Sequence, residues 1–268
     1  MTEPRVRLRA AACSDVGPHR AINQDAAFAA PWGAAVADGV GGGPAGDLAS
    51  AALVHGIAAS RPDGLDAEEL QTLVRLANWD LRAHVERDPS LNGMATTFTG
   101  LFVSRDDDLL LAHTGDSRAY RLRDGRFEQR SRDDSLVQAL IDQGIVAIED
   151  AVTHPRRNII TASLSGADRD AATVTVHDAV VGDRWLLCSD GLTDYVPAEE
   201  ILSRLEEHAD PAAAAAACVA IALEAGTRDN VTAVVCDVVI DTAFGAGRPH
   251  ASFFGAASER FMEELDSA

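Results

Sequence analysis

The 268-residue sequence predicts an α+β fold of antiparallel sheets with helices on the outside, and two observations lead there. Strand-like and helix-like segments come in blocks instead of alternating as β-α-β units. Four aspartates stand where apolar strands begin or end: Asp38 after 32–37, Asp116 after 109–114, Asp190 after 185–189, and Asp229 before 231–236. In antiparallel pairing the end of one strand lies beside the start of its neighbour. The four carboxylates are therefore expected to meet at one edge of a sheet.

Each element has its own signal. Val6-Arg7-Leu8-Arg9-Ala10 alternates apolar and charged residues, the period of a half-buried strand over 6–12. Residues 23–38 read as a loop and then a strand. Leu48, Ala49, Ala52, Leu53, Gly56 and Ile57 give a buried helical face over 44–60. Asp66-x-x-Glu69 resembles a capping box that opens a helix to about Arg87. Its inner face would carry Leu70, Leu73, Val74, Ala77, Leu81 and Val85. Strands follow over 95–104, 108–113 and 117–123, and Asp124-Gly125 turns the last into a hairpin partner at 126–130. Residues 131–166 are polar, with short helical pieces at 135–143 and 148–152, and read as an inserted surface segment. Strand pattern returns at 172–177 and 184–188; two helices, 197–208 and 211–225, precede a final strand at 231–236. Weak patterning makes 241–268 a loosely held tail with one short helix near 257–265, leaving a domain over 1–240.

Composition narrows the function. The formal net charge of −19 argues against a nucleic-acid phosphate backbone or an anionic membrane as partner. A hydrophobic content of 47% argues against overall disorder. No apolar run approaches the roughly 20 residues of a membrane span, and the first residues lack the apolar core of a secretory signal. Cys13, Cys188, Cys218 and Cys236 form no C-x-x-C pair and read as reduced thiols of a cytoplasmic protein. A monomer is the default expectation.

Electrostatics makes the aspartates informative. Two bare carboxylates about 4 Å apart repel by about 4 kcal/mol at an effective dielectric of about 20. Such a cluster needs protons or cations, and hard divalent ions such as Mg²⁺ or Mn²⁺ prefer all-oxygen ligands. Singly, Asp116, Asp190 and Asp229 could be ordinary Asp-containing turns; together they form a poor coincidence. Asp38-Gly39 opens a glycine-rich run with two readings. It serves as a metal loop in which Gly39 brings its carbonyl to an ion, or as the dinucleotide fingerprint Gly41-x-Gly43-x-x-Gly46. A strand-end carboxylate would repel a pyrophosphate, and no β-α-β unit follows, so the metal reading is preferred. Arg20 could fork onto a phosphate, or form a surface salt bridge with Asp25. No G-x-S-x-G elbow or H-E-x-x-H helix occurs, and Cys13 and Arg20 are one residue too far apart for a cysteine-phosphatase loop.

These residues resemble the metal-dependent (type 2C, PPM) protein Ser/Thr phosphatases of bacterial type. The matching segments run in the family's order: Ser14-Asp15-Val16-Gly17 with Arg20-x-x-Asn23-Gln24-Asp25, Val36-Ala37-Asp38-Gly39-x-Gly41-Gly42, Met94-Ala95-Thr96-Thr97, Gly115-Asp116-Ser117-Arg118-Ala119-Tyr120, Ser189-Asp190-Gly191-Leu192-Thr193-Asp194, and Asp229-Asn230-Val231-Thr232. The resemblance implies a four-layer α-β-β-α sandwich with a binuclear Mn²⁺/Mg²⁺ centre at one end. It implies Asp38 as bridging ligand, Gly39 as carbonyl ligand, and Asp190 and Asp229 as direct carboxylate ligands. Asp25 and Gln24 would act through metal-coordinated water, Asp116 with Asp190 would hold a weaker third ion, and Arg20 would hold the phosphate. Residues 131–166 correspond to the flap beside the site. Two residues depart from the pattern. Val40 stands where eukaryotic members carry a proton-donating His, which bacterial members often lack too. Gln24 replaces the more usual Glu and brings no charge.

The expected reaction is hydrolysis of phosphoserine or phosphothreonine by a metal-bridging hydroxide, without a phosphoenzyme. The expected substrates are phosphorylated proteins, including a bacterial Ser/Thr kinase. The alternatives are a catalytically silent phosphoprotein-binding regulator of the same fold and a dinucleotide-binding oxidoreductase.

Overall fold

Two antiparallel sheets stack face to face, and helices cover both outer surfaces, in a computed structural model that describes residues 5–40, 45–60, 64–241 and 250–260. The first half contains β1 (Val6–Asp15), β2 (Asp25–Ala30), β3 (Gly33–Asp38), α1 (Gly46–Ala59), α2 (Ala67–Arg87), β4 (Phe98–Val103), β5 (Leu109–Thr114), β6 (Arg118–Arg123) and β7 (Arg126–Gln129). The second half contains α3 (Leu136–Asp142), β8 (Thr173–His177), β9 (Arg184–Cys188), α4 (Asp190–Thr193), α5 (Ala198–Glu207), α6 (Pro211–Glu224), β10 (Val231–Ile240) and β11 (Ser252–Gly255). One sheet has the order β1-β10-β9-β6-β7, and the other β11-β2-β3-β4-β5-β8.

Three apolar clusters hold the four layers together. Leu101, Leu109, Leu111, Trp185, Leu187 and Val234 meet between the sheets. Phe28, Phe98 and Phe102 face Leu53, Ile57, Leu70 and Leu81 of α1 and α2. Leu186, Val231 and Val235 face Ile201, Leu205, Cys218 and Ala222 of α5 and α6. The expected α-β-β-α sandwich is the observed one. The capping box is formed: the Asp66 carboxylate accepts from Glu69 N–H at 2.9 Å, and Glu69 accepts from Asp66 N–H at 2.9 Å. Asp124 and Gly125 both take positive φ, 51° and 73°, as the hairpin requires.

Two sequence expectations need correction, and a third is borne out. Residues 25–30 are a strand, not a loop: β2 is Asp-Ala-Ala-Phe-Ala-Ala and every residue is buried. A strand covered on both faces has no polar alternation to announce it, and alanine carries little β preference. The tail is ordered over 252–260, where β11 pairs antiparallel with β2 and residues 256–260 continue as a helical turn. The four-residue strand is too short to show a period, and it is specified by the open edge of β2. The rest of the helix expected over 257–265 lies outside the described residues. Finally, β4 pairs antiparallel with β3. The glycine-rich run therefore does not open a parallel crossover, and the dinucleotide alternative is not favoured. Gly41 and Gly43 themselves lie outside the described residues. Among the described residues no helix is long and apolar enough to cross a membrane.

Candidate active site

The β2–β3 register sets Asp25 directly opposite Asp38. Two threonines just before β4, Thr96 and Thr97, then clamp Asp38. Its N–H donates to Thr97 Oγ1 at 3.0 Å, and its carbonyl accepts from Thr97 N–H at 2.8 Å and Thr96 Oγ1 at 2.9 Å. Asp190 opens α4 immediately beyond β9, and Asp229 precedes β10, the antiparallel neighbour of β9. Asp116 sits on the connection from β5 to β6, which passes from one sheet to the other. The aspartates thus meet at one end of the sandwich, drawn from both sheets. The expectation of one sheet edge failed because strand pattern alone does not reveal which strands share a sheet.

Glycine at position 39 is a packing requirement. Its N–H donates to Gln24 O at 3.1 Å, and a Cβ there would stand 2.4 Å from Gly46 O. The carbonyl side of Asp38-Gly39 is consequently wedged against the first residue of α1.

Arg20, Asp38, Gly39, Asp116, Asp190 and Asp229 line one open cavity of about 320 Å³, together with Val40, Thr97, Asn158 and Ile160. Arg20 Nη2 bonds Asp229 Oδ2 at 2.6 Å, which replaces the salt bridge to Asp25 considered from the sequence. Asp25 is fully buried behind Asp38, where its Oδ2 accepts from Ser189 Oγ at 2.7 Å. Gln24 does not line the cavity; its amide lies over Gly46, and its backbone carbonyl accepts from Gly39 N–H and, at 2.6 Å, from Ser50 Oγ.

Sequence reasoning passed over several supporting residues. Thr97 Oγ1 shares a 2.9 Å hydrogen bond with Ser117 Oγ, joining the Asp38 strand end to the Asp116 turn. Arg118 grips Asp133 through Nε and Nη2 at 2.9 and 2.7 Å, and Asp134 accepts from Gly115 N–H at 3.1 Å, fixing that turn to the segment that follows β7. Asn230 binds four places at once: its Oδ1 accepts from Gln24 N–H, its amide donates to Val16 O and Ile22 O, and its N–H donates to Asp229. The threonines, Ser117, Ser189 and Asn230 all lie in the motif segments, so their positions were visible while their partners were not.

The carboxyls repel ionisation. Burial, followed by the charges of Asp25, Asp190, Asp116 and Asp229, holds Asp38 well above the usual carboxylate range. Burial, then Asp116, Asp194 and Asp229, does the same to Asp190. Burial lifts Asp116 to about 7, with Asp133 adding to it, and lifts Asp25 to about 6 against the hydrogen bond from Ser189. Asp25 Oδ1 and Asp190 Oδ1 are buried without a hydrogen-bond partner, a costly state unless a proton or cation meets them. This all-oxygen donor set fits a hard divalent cation. Among the described residues no three acidic, His or Cys side chains already converge on a single ion position. The donors instead face a common cavity, with Asp229 held by Arg20.

Comparison with known proteins points the same way. The family model described as Protein phosphatase 2C matches residues 19–221. The serine/threonine protein phosphatase PstP of Mycobacterium tuberculosis is 43% identical over 246 residues, which cover 90% of this chain and 47% of that protein. The chain therefore spans about half the length of that relative. The crystal structure of the Mycobacterium tuberculosis phosphatase PstP/Ppp superposes with a TM-score of 0.82 at 42% identity, covering 87% of this chain and 99% of that one. The catalytic domain of PstP in complex with two manganese ions gives 0.80 at 41% identity, with the same coverage of 87% and 99%.

Proposed function

The chain belongs to the protein phosphatase 2C family, and on that premise we propose that it is a metal-dependent protein Ser/Thr phosphatase acting on phosphoserine and phosphothreonine. The observation that carries the reading is the convergence of Asp38, Asp116, Asp190 and Asp229 with one arginine, Arg20, on a single cavity. The two manganese ions of the PstP catalytic domain support two Mn²⁺ or Mg²⁺ ions here.

Asp38, Asp190, Asp229 and the Gly39 carbonyl would hold those two ions, and Asp116 with Asp190 a weaker third. Bound cations supply charge for the phosphoryl oxygens and a water made nucleophilic near neutral pH. Arg20 orients the phosphate by a forked contact. Asp25 acts from behind Asp38, with Ser189 fixing its carboxyl, and Gln24 fixes the loop through its backbone carbonyl. Val40 lines the cavity and has no proton to give, so the leaving oxygen takes its proton from water. The substrates are phosphorylated proteins of a bacterial cytoplasm, including a Ser/Thr kinase, and the working unit is a monomer.

The test is release of phosphate from a phosphothreonine peptide by the folded protein in Mn²⁺, in excess EDTA, and as Asp38→Ala. Turnover that needs Mn²⁺ and falls by more than about 100-fold in the variant is expected, since even residues behind a metal's ligands typically matter 10- to 100-fold. Full turnover in EDTA would defeat the metal mechanism. Retention of the phosphopeptide by Mn²⁺-loaded protein without turnover would make the chain a silent regulator.

A further inference from the structure

Residues 252–260 lie beyond the stretch that the family model matches, yet they end against the candidate site. β11 runs along the edge of β2 with Gly255 opposite Ala26, one residue from Asp25. Gly255 has φ +62°, and a Cβ there would stand 2.2 Å from Asp25 O and 2.9 Å from Ser14 Oγ. Only glycine lets the segment lie this close to the backbone that carries Asp25. Ala256 and Ala257 follow it into the core, at 1% and 0% exposure. His55 of α1 donates from Nε2 to Ala257 O at 2.8 Å, and its ring packs on Phe253 with centroids 4.2 Å apart. Arg260 then closes an ion pair with Asp47, in the first turn of α1.

These contacts reach the loop from two sides. Gly255 backs Asp25, the register partner of Asp38. Arg260 holds Asp47, whose neighbour Gly46 is wedged against Gly39. From the same turn of α1, Ser50 donates to Gln24 O, the carbonyl that also receives Gly39 N–H. We propose that residues 252–260 are an intramolecular strap that positions Asp25, Asp38 and Gly39 and so sets the affinity for the divalent cation. Gly255 and Arg260 are its positioning residues. The inference rests on the phosphatase reading above and adds a determinant that this chain supplies from its own C-terminal segment.

The test uses full-length protein with Gly255→Ala, Arg260→Ala and Arg260→Lys. Binding of Mn²⁺ is measured without substrate, from the electron paramagnetic resonance signal of free Mn²⁺, beside thermal unfolding in EDTA and turnover across a Mn²⁺ titration. Gly255→Ala and Arg260→Ala should each raise the Mn²⁺ dissociation constant about tenfold, as loss of a residue behind a metal's ligands typically does. Turnover at saturating Mn²⁺ should be unchanged, and Arg260→Lys should restore most of the affinity. A merely structural segment would lower the unfolding temperature and leave Mn²⁺ affinity at the wild-type value; that result overturns the strap. Arg260 is half-buried at the far end of the segment, so its variant keeps the test decisive if Gly255→Ala does not fold. Wild-type protein that binds no Mn²⁺ and turns over no phosphopeptide would instead remove the phosphatase reading, and the strap with it.

Discussion

Arg20 Nη2 lies 2.6 Å from Asp229 Oδ2, so the candidate phosphate holder is ion-paired with a candidate metal ligand. The two roles compete for one carboxylate: a cation that takes up the charge of Asp229 frees the guanidinium for a phosphate. Arg20→Ala should therefore act in opposite directions on the two ligands. Loss of a charged hydrogen bond to phosphate, about 1.5–3 kcal/mol, predicts a fall in kcat/KM of roughly 10- to 100-fold. Mn²⁺ binding without substrate should tighten, by no more than about fivefold, because both partners are about one-third exposed and such pairs contribute about 0–1 kcal/mol. Steady-state kinetics and Mn²⁺ titration of the same preparation check both signs. Weaker Mn²⁺ binding in the variant would mean that Arg20 supports Asp229 as a ligand.

Thr97 offers a sharper structural test, because its hydroxyl links two site-bearing turns at once. Thr97→Val keeps the shape but leaves Asp38 N–H without its acceptor and Ser117 Oγ without its partner, in a position only 2% exposed. A buried unsatisfied donor costs about 1–3 kcal/mol, and chemical denaturation should show a loss of that size. Activity at saturating Mn²⁺ should also fall, while Thr97→Ser retains both. A Val variant with wild-type stability and turnover would show that the clamp is dispensable.

The raised carboxyls give the metal-free protein an inverted pH dependence. Asp116 and Asp25, at about 7 and about 6 when folded, ionise near 4 when unfolded. Between about pH 4 and pH 7 the folded state thus binds more protons than the unfolded one, and stability falls as pH rises. Asp38 and Asp190 shift in the same direction. In EDTA the unfolding temperature should be higher at pH 5 than at pH 7.5. Saturating Mn²⁺ should narrow or reverse the difference, because the cation replaces the protons and binds only the folded chain. An EDTA profile that rises from pH 5 to pH 7.5 would contradict the burial of this cluster.

How far the sequence discloses this site follows from what each residue depends on. Asp38, Asp116, Asp190 and Asp229 were legible because each ends or begins an apolar strand, a local pattern. The cap at Asp66 and Glu69 and the turn at Asp124-Gly125 were legible for the same reason. β2 was not, since Ala26, Ala27, Ala29 and Ala30 are buried by neighbours far along the chain. β11 was not, because only the open edge of β2 makes a strand of Ser252–Gly255. The partner of Arg20 was missed because proximity in sequence favoured Asp25, whereas folding brings Asp229 from 209 positions away. Periodicity reports which face of a segment is buried; it carries no information about what lies across the interface.

Asp116 separates a third-ion ligand from a structural turn residue. Its turn is held by groups other than its own carboxylate: Gly115 N–H by Asp134, Arg118 by Asp133, and Ser117 by Thr97. Asp116→Asn should therefore leave the fold and the two tighter Mn²⁺ sites intact. Removing this charge also relieves repulsion on Asp38 and Asp190, each of which has Asp116 among its raising neighbours. Calorimetric titration of the wild type should resolve two tighter Mn²⁺ events and one weaker event; the variant should retain the first two and lose the third. If the third ion takes part in the reaction, turnover should then fall most at high Mn²⁺ concentration, where the wild type fills its weaker site. Loss of a tight event would instead assign Asp116 to the binuclear pair, and three unchanged events would leave it a turn residue whose charge the cavity tolerates.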